Sequence, residues 1–369
     1  MKRLKNALSI RGDCLYCPLP LALDAYWNCL TDCHHCYFRH LNHTWGTDLR
    51  PADPEDVQRK LQAGVKNKTP KTPLAHALAS RKTLRLGNKS DPFQEAERTY
   101  HVARDLVRVL TEERWTFVIQ TRFTGVMMET AMEEIKSAHF RRLLQVMPVV
   151  SPGLDRDWEV LERGRTTPPR LRLSHLSFLR DVGVPYGLNG EPFIPGYHTV
   201  EDFKSTMQLL RDHGIDRYNT YNFHFNAFVA KRLHAIGVDI ERIWYHNQDE
   251  QWRPILAQLL QLGETYGVRI GCPDFVNSGK AHREPANTCC GLDVPRPCTY
   301  NAHTWKRMLQ EGRDPQEILA GTWDGVGDQE EGRRIMEGTT DKMYTMHDAG
   351  FGPEEERDET GDQNTFGIV

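Results

Sequence analysis

The chain has 369 residues, 26% of them charged and 39% hydrophobic, with a formal net charge of −3. That suffices for one large domain or two ordinary ones around a sizeable core. No apolar run approaches the ~18 residues of a membrane span, and the basic start Met1-Lys2-Arg3-Leu4-Lys5-Asn6 lacks the apolar stretch of a secretory leader. Nine cysteines, an odd number in ligand-like groups, point to bound metal in a reducing compartment, so the cytoplasm is expected. Residues 353–362 carry six acids against one arginine and predict a disordered acidic tail over 351–369. The remaining body is mildly basic, which permits a nucleic-acid partner without requiring one.

In chain order, Cys14-x-x-Cys17 precedes an apolar, aromatic run over 21–27, expected to be a short strand. It leads into Cys29-Leu-Thr-Asp-Cys33-His-His-Cys36-Tyr-Phe. Helices are expected over 54–65 and 74–81, then a strand over 83–87. That strand ends in Asn88-Lys89-Ser90-Asp91-Pro92, where Asp91 as N-cap and Pro92 in the first turn predict a helix start. The helix carries Val102, Leu106, Val109 and Leu110 on one face. Strands follow over 115–121 and 143–151, a helix over 170–181 stopped by Gly183, and a strand within 185–195. Thr199-x-x-Asp202 predicts a capped helix with Phe203, Met207 and Leu210 inward and Gly214 as its stop. Residues 217–225 read as a strand in which Tyr221, Phe223 and Phe225 alternate with Asn222 and His224. A helix is expected over 252–266. After Gly271 the chain turns irregular and contains Cys272, Cys289, Cys290 and Cys298. Strand and helix signals in alternation imply six or so βα units and a largely parallel sheet.

The spacing C-x3-C-x2-C brings three thiols onto one short loop. A closed tetrahedral zinc site wants four protein ligands, and His34, His35, His40 or His43 would supply the fourth. Three thiolates also suit a [4Fe–4S] cluster with one iron open to a small molecule. The α/β scaffold that follows favours the cluster, because barrel enzymes carry their chemistry on loops after strands.

On this motif the chain resembles the radical S-adenosylmethionine (SAM) enzymes, and within them the spore photoproduct lyase-like subgroup. Asp24-Ala-Tyr-Trp-Asn-Cys29, Gly87-Asn-Lys-Ser-Asp-Pro-Phe-Gln94, Leu161-Glu-Arg-Gly164, Arg172 and Pro192-Phe-Ile-Pro195-Gly196 are similar to landmarks of that group. The likeness spans residues 19–214. It implies an α/β fold of the partial (β/α)6 TIM-like barrel type over 19–240, between an N-terminal CxxC segment (1–18) and a cysteine-containing C-terminal extension (241–350). It further implies that Cys29, Cys33 and Cys36 hold the cluster and that SAM binds the open iron. Reductive cleavage there yields a 5′-deoxyadenosyl radical that abstracts hydrogen from substrate. Ser90, Arg122 and Ser151 would contact SAM, and a reducing partner such as flavodoxin or ferredoxin would supply the electron. As residues alone, Ser90 reads equally as a helix-capping residue, Arg122 as a surface charge and Ser151 as a turn residue.

The resemblance points to a thymine-derived base in DNA as substrate, which must leave the duplex to meet a buried radical. Asn88 stands where the lyase has a hydrogen-donating cysteine, which favours isomerisation of a modified thymine over dimer repair. Asn88, Asn222 and His224 are candidate substrate contacts, and Arg163, Arg165, Arg170 and Arg172 form a basic segment suited to phosphates. A peptide, a free nucleoside or a small metabolite is the alternative substrate, and a zinc-stabilised nucleic-acid-binding protein the alternative class. Cys14, Cys17, Cys272, Cys289, Cys290 and Cys298 suggest a second Fe–S cluster or a structural zinc, or else are small buried apolar residues.

Overall fold

The computed structural model describes residues 2–10, 19–38, 48–220, 223, 225–271, 308 and 310–319. Strands β1 (Leu8–Ile10) and β2 (Leu21–Leu23) pair antiparallel at one edge, and from β2 onward neighbouring strands run parallel. A separate ribbon joins β3 (Tyr26–Trp27) to β4 (Arg50–Pro51). Next to β2 lies β5 (Leu84–Leu86), followed by β6 (Phe117–Thr121) and β7 (Leu144–Pro148). Bridges from Val146 to Tyr186, Val149 to Asn189 and Asn189 to Asn219 continue the parallel order to β8 (Arg217–Asn219). That strand pairs with β9 (Arg269–Gly271). The result is an α/β fold on a largely parallel sheet, as the alternating signals imply. The start of β6 is buried on both faces, so Phe117, Val118 and Ile119 are all inaccessible, as in a parallel sheet covered by helices.

Local chemistry explains the helices. Helix Pro54–Lys66 starts on Asp53, whose side chain accepts the Glu55 N–H, and places Pro54 where no donor is needed. Helix Val200–Asp212 opens on a capping box between Thr199 and Asp202 and buries Phe203, Met207 and Leu210. Helix Pro169–Asp181 is followed by Gly183 at φ +86°.

Several expectations are corrected. Residues 21–27 are not one strand, because the chain turns after Leu23 and Tyr26–Trp27 leaves the main sheet for β4. Asp91 does not open a helix. Its carboxylate accepts the Phe93 N–H and reaches across to the Thr121 hydroxyl and the Arg122 N–H, so cross-strand bonding wins over capping. The helix begins only at Glu97, breaks at His101 (φ 51°) and resumes as Val102–Glu112, with Val102, Leu106, Val109 and Leu110 buried as expected. Residues 185–195 contribute bridges instead of a strand, consistent with Pro185, Pro192 and Pro195 donating no ladder bonds. The strand expected over 217–225 stops at Asn219, and Tyr221, Asn222 and His224 lie outside the described residues.

The α/β order also continues past residue 240. Helix Asp249–Tyr266 packs on Val200–Asp212, puts Trp252, Leu256 and Leu259 into a core shared with Phe203, Tyr218 and Ile270, and delivers β9. Met308, Ile318 and Leu319 join the core of the first half of the sheet. Cys14, Cys17, Cys272, Cys289, Cys290, Cys298 and the acidic tail lie outside the described residues. Among the described residues, no helix is long and apolar enough to cross a membrane.

Candidate active site

At the C-terminal ends of β5 and β6 the sheet opens into a cleft lined by Cys29, Cys33 and Cys36 on one wall and by Asn88, Ser90 and Arg122 on another. The cysteine loop turns on Asn28 (φ 70°) and Asp32 (φ 56°), left-handed positions that short polar side chains tolerate. Gln94, 0% exposed, ties its start. The Gln94 amide donates to the Asn28 carbonyl (3.1 Å) and accepts the Leu30 N–H (2.8 Å). Further on, the His34 N–H donates to the Leu161 carbonyl (2.8 Å), and Arg232 donates to the carbonyls of Asp32 (2.9 Å) and Cys33 (3.2 Å). Arg232 and Arg163 both ion-pair with the Asp32 carboxylate. Tyr37 and Phe38, rings 4.3 Å apart, close the loop's far end.

None of the three thiols is in a disulfide. Burial raises the pKa of Cys33, and burial together with Asp91 raises that of Cys29. Buried sulfurs of this kind become thiolates when a metal supplies the compensating charge. Among the described residues, no three His, Cys, Asp or Glu side chains converge on a single metal ion. Of the histidines weighed as a fourth zinc ligand, His35 lines the same cleft, while His40 and His43 lie outside the described residues. Three sulfurs at one cleft suit a polynuclear cluster, whose thiolates stand at separate corners, and equally a zinc completed by a fourth ligand.

The opposite wall is built by Asp24. Its Oδ1 accepts three successive N–H groups, from Asn88 (3.0 Å), Lys89 (2.7 Å) and Ser90 (3.2 Å), pinning the loop after β5 to the chain leaving β2. Burial raises the Asp24 pKa against the pull of Lys89 and those amides. The Ser90 hydroxyl donates to the Tyr26 carbonyl (2.5 Å), so Ser90 is not a helix cap. Gly87 permits the close approach: it sits at φ +93°, and a Cβ there would meet the Gln120 carbonyl at 2.6 Å.

Arg122 is no loose surface charge. It donates from Nε to Glu162 (3.1 Å) and from its terminal nitrogen to the Glu191 carbonyl (2.8 Å), beside His35 at 3.4 Å. Burial works against its charge, but Glu162 together with Cys33 and Asp91 outweighs that and raises the pKa. Glu162 also binds Arg172, which is 0% exposed, and accepts from Thr166. Burial alone would raise the Glu162 pKa; Arg172 and Arg122 bring it down to about 2. Arg172 spends its other donors on the Val149 and Thr167 carbonyls (both 2.5 Å), so it is structural and unavailable to phosphates. Arg163 is held by Asp32, and Arg170 pairs with Asp155 on the exposed side. Burial and then Arg122 push the His35 pKa down to about 3, leaving a neutral ring.

The structure thus gathers Cys29, Cys33, Cys36, Asn88, Ser90 and Arg122 at one cleft. Ser151, buried after β7, is not among its lining residues. Asp24, Gln94 and Glu162 were missed as site residues, and His35 was weighed only as a zinc ligand. A lone carboxylate inside the apolar run 19–27 was the available signal for Asp24; Gln94 and Glu162 stood inside similar segments with no role attached.

No family model matches the chain, and neither does any curated protein. Solved structures similar to it include Streptococcus suis SuiB bound to precursor peptide SuiA, at 14% identity over 57% of this chain and 41% of that one, with TM-score 0.39. SuiB bound to S-adenosylmethionine is similar at 12% identity over 61% and 47%, with TM-score 0.40. The cobalamin-dependent S-adenosylmethionine radical enzyme OxsB is similar at 16% identity over 61% and 30%, with TM-score 0.36. The chain spans less than half the length of these proteins. Likenesses this distant leave the activity to be argued from the site.

Proposed function

We propose that this cleft performs radical SAM chemistry, with a [4Fe–4S] cluster held by Cys29, Cys33 and Cys36. The observation that carries the reading is the donor set: three thiols on one tethered loop, lining a cleft together with polar strand ends. When bound, the cluster supplies the electron that splits SAM into methionine and a 5′-deoxyadenosyl radical, which takes hydrogen from substrate. The chain's residues do the positioning. Gln94, Arg232 and the Leu161 carbonyl hold the loop in one geometry. Ser90 and Arg122 face the cleft as SAM contacts, Arg122 being pre-set by Glu162. Ser151 joins that set by strand position alone. Phe38, Phe123 and Phe223 line the cleft with apolar surface that sheds water around a reactive intermediate.

For the substrate, the resemblance supports a thymine-derived base in DNA. Asn88 lies in the cleft without an easily abstracted hydrogen, which favours isomerisation of a modified thymine over dimer repair. The electron would come from a flavodoxin or ferredoxin. A peptide, nucleoside or small metabolite is the second reading, favoured because the basic segment expected to meet phosphates is committed: Arg163, Arg170 and Arg172, like Arg122, are engaged with acids. Anaerobic reconstitution tests the chemistry. Wild type should bind about four irons and release 5′-deoxyadenosine from SAM and dithionite. The variant with Cys29, Cys33 and Cys36 all changed to Ala should do neither, and iron retained in it would remove the proposal. Nucleoside mass spectrometry with and without thymine-modified DNA separates the two substrates.

A further inference from the structure

Strand alternation puts Leu84 and Leu86 into the core beneath the helices and turns Arg85 the other way, into the cleft. Arg85 is 7% exposed, beside the small Ala22 of β2 and Val118 of β6 in register. Its Nε has no hydrogen-bond partner, and among the described residues its guanidinium enters no ion pair. Two amides share the condition: the side-chain oxygens of Asn88 and Gln120 are buried without partners and line the same cleft. Arg172 shows what the fold does with a buried guanidinium that it keeps for itself, pairing it with Glu162 and two backbone carbonyls.

A buried cation without a counter-charge is costly, so it persists where a ligand brings the charge. A guanidinium presents a fork matched to two oxygens of a carboxylate or phosphate. Amides on either side both donate and accept, and their orientation adapts to the ligand. We propose that Arg85, flanked by Asn88 and Gln120, receives an anionic group of the substrate, a carboxylate or a phosphate ester, at the base of the cleft. This rests on the cleft being the site of radical chemistry and adds the substrate class: a molecule carrying that anion within reach of the cysteine loop. The subsite fixes which carbon faces the radical.

The test measures melting temperature of the full chain, anaerobically loaded with iron, while chloride is exchanged for acetate or for inorganic phosphate at constant ionic strength. Wild type should be stabilised saturably by one of them, and the stronger of the two names the group. Arg85→Met should weaken that apparent affinity by about tenfold or more while leaving the anion-free melting temperature equal or higher, because an unpaired charge is gone. Arg85→Lys should keep a reduced response. No stabilisation of wild type, or an equal response in Arg85→Met, overturns the proposal. So does loss of SAM binding in Arg85→Met with acetate and phosphate both inert, which would assign the guanidinium to SAM. The same titration on iron-free chain should give the same anion response. Failure of iron loading therefore sinks the radical reading separately from this one.

Discussion

Gln94 holds the cysteine loop from both sides, and nothing near it in the chain announces that role. Its two partners, Asn28 and Leu30, lie more than sixty positions away, so only the packing of the loop after β5 against the cysteine loop brings them together. Gln94→Ala leaves the buried Asn28 carbonyl and the part-buried Leu30 N–H without this partner, at about 1–3 kcal/mol. The expected outcome is a lower urea midpoint together with reduced iron per chain after reconstitution; an unchanged iron content would show that the loop does not need the tether. The three cysteines, by contrast, were legible because a ligand spacing is a local property. Arg122 was legible as a position and misread as an environment. Its acidic partner Glu162 sits forty residues on, behind a second arginine.

Among the secondary-structure elements, the Thr199 cap was readable, whereas the Asp91 cap and the strand lengths were not. Thr199 with Asp202 and Asp53 with Pro54 act within four residues, where sequence and structure coincide. One capping device has consequences of its own. Asp157, in helix Leu154–Val160, accepts the Gly153 N–H (2.9 Å) and pairs with His198 (2.7 Å), whose other ring nitrogen accepts the Ile194 N–H (2.7 Å). Burial would raise the Asp157 pKa, but His198 and Arg156 bring it from 3.8 down to about 2. A lowered folded-state pKa means that the unfolded chain binds the proton more readily. The contribution, on the order of 2 kcal/mol, is therefore complete above about pH 4 and lost as pH falls through about 2. Urea unfolding across that window should show wild type losing more stability than Asp157→Asn; parallel curves would remove the linkage.

Taken as one body, the chain does not stop building its sheet where the sequence turns irregular. Trp252, Leu256 and Leu259 complete a core with Phe203, Met207 and Tyr218, and β9 adds to β8. A chain ending at residue 240 loses those side chains and the last parallel pairing. It should aggregate or give a broad, uncooperative unfolding transition by tryptophan fluorescence, whereas a chain ending at residue 319 should unfold cooperatively. A cooperative transition at 240 would mark that position as a true boundary.

The amino-acid order alone specified the thiol set, the alternation of strand and helix, and the capped start at Thr199, because each depends on neighbours within a turn or on a repeating apolar period. Folding in three dimensions allotted the partners. Arg85 and Arg172 are the same residue type, yet Arg172 is enclosed by Glu162 and carbonyls while Arg85 faces the cleft with no ion pair among the described residues. Which state an arginine takes is set by segments dozens of positions away, and the high cost of burying an unpaired charge turns that difference into a statement about what the site binds.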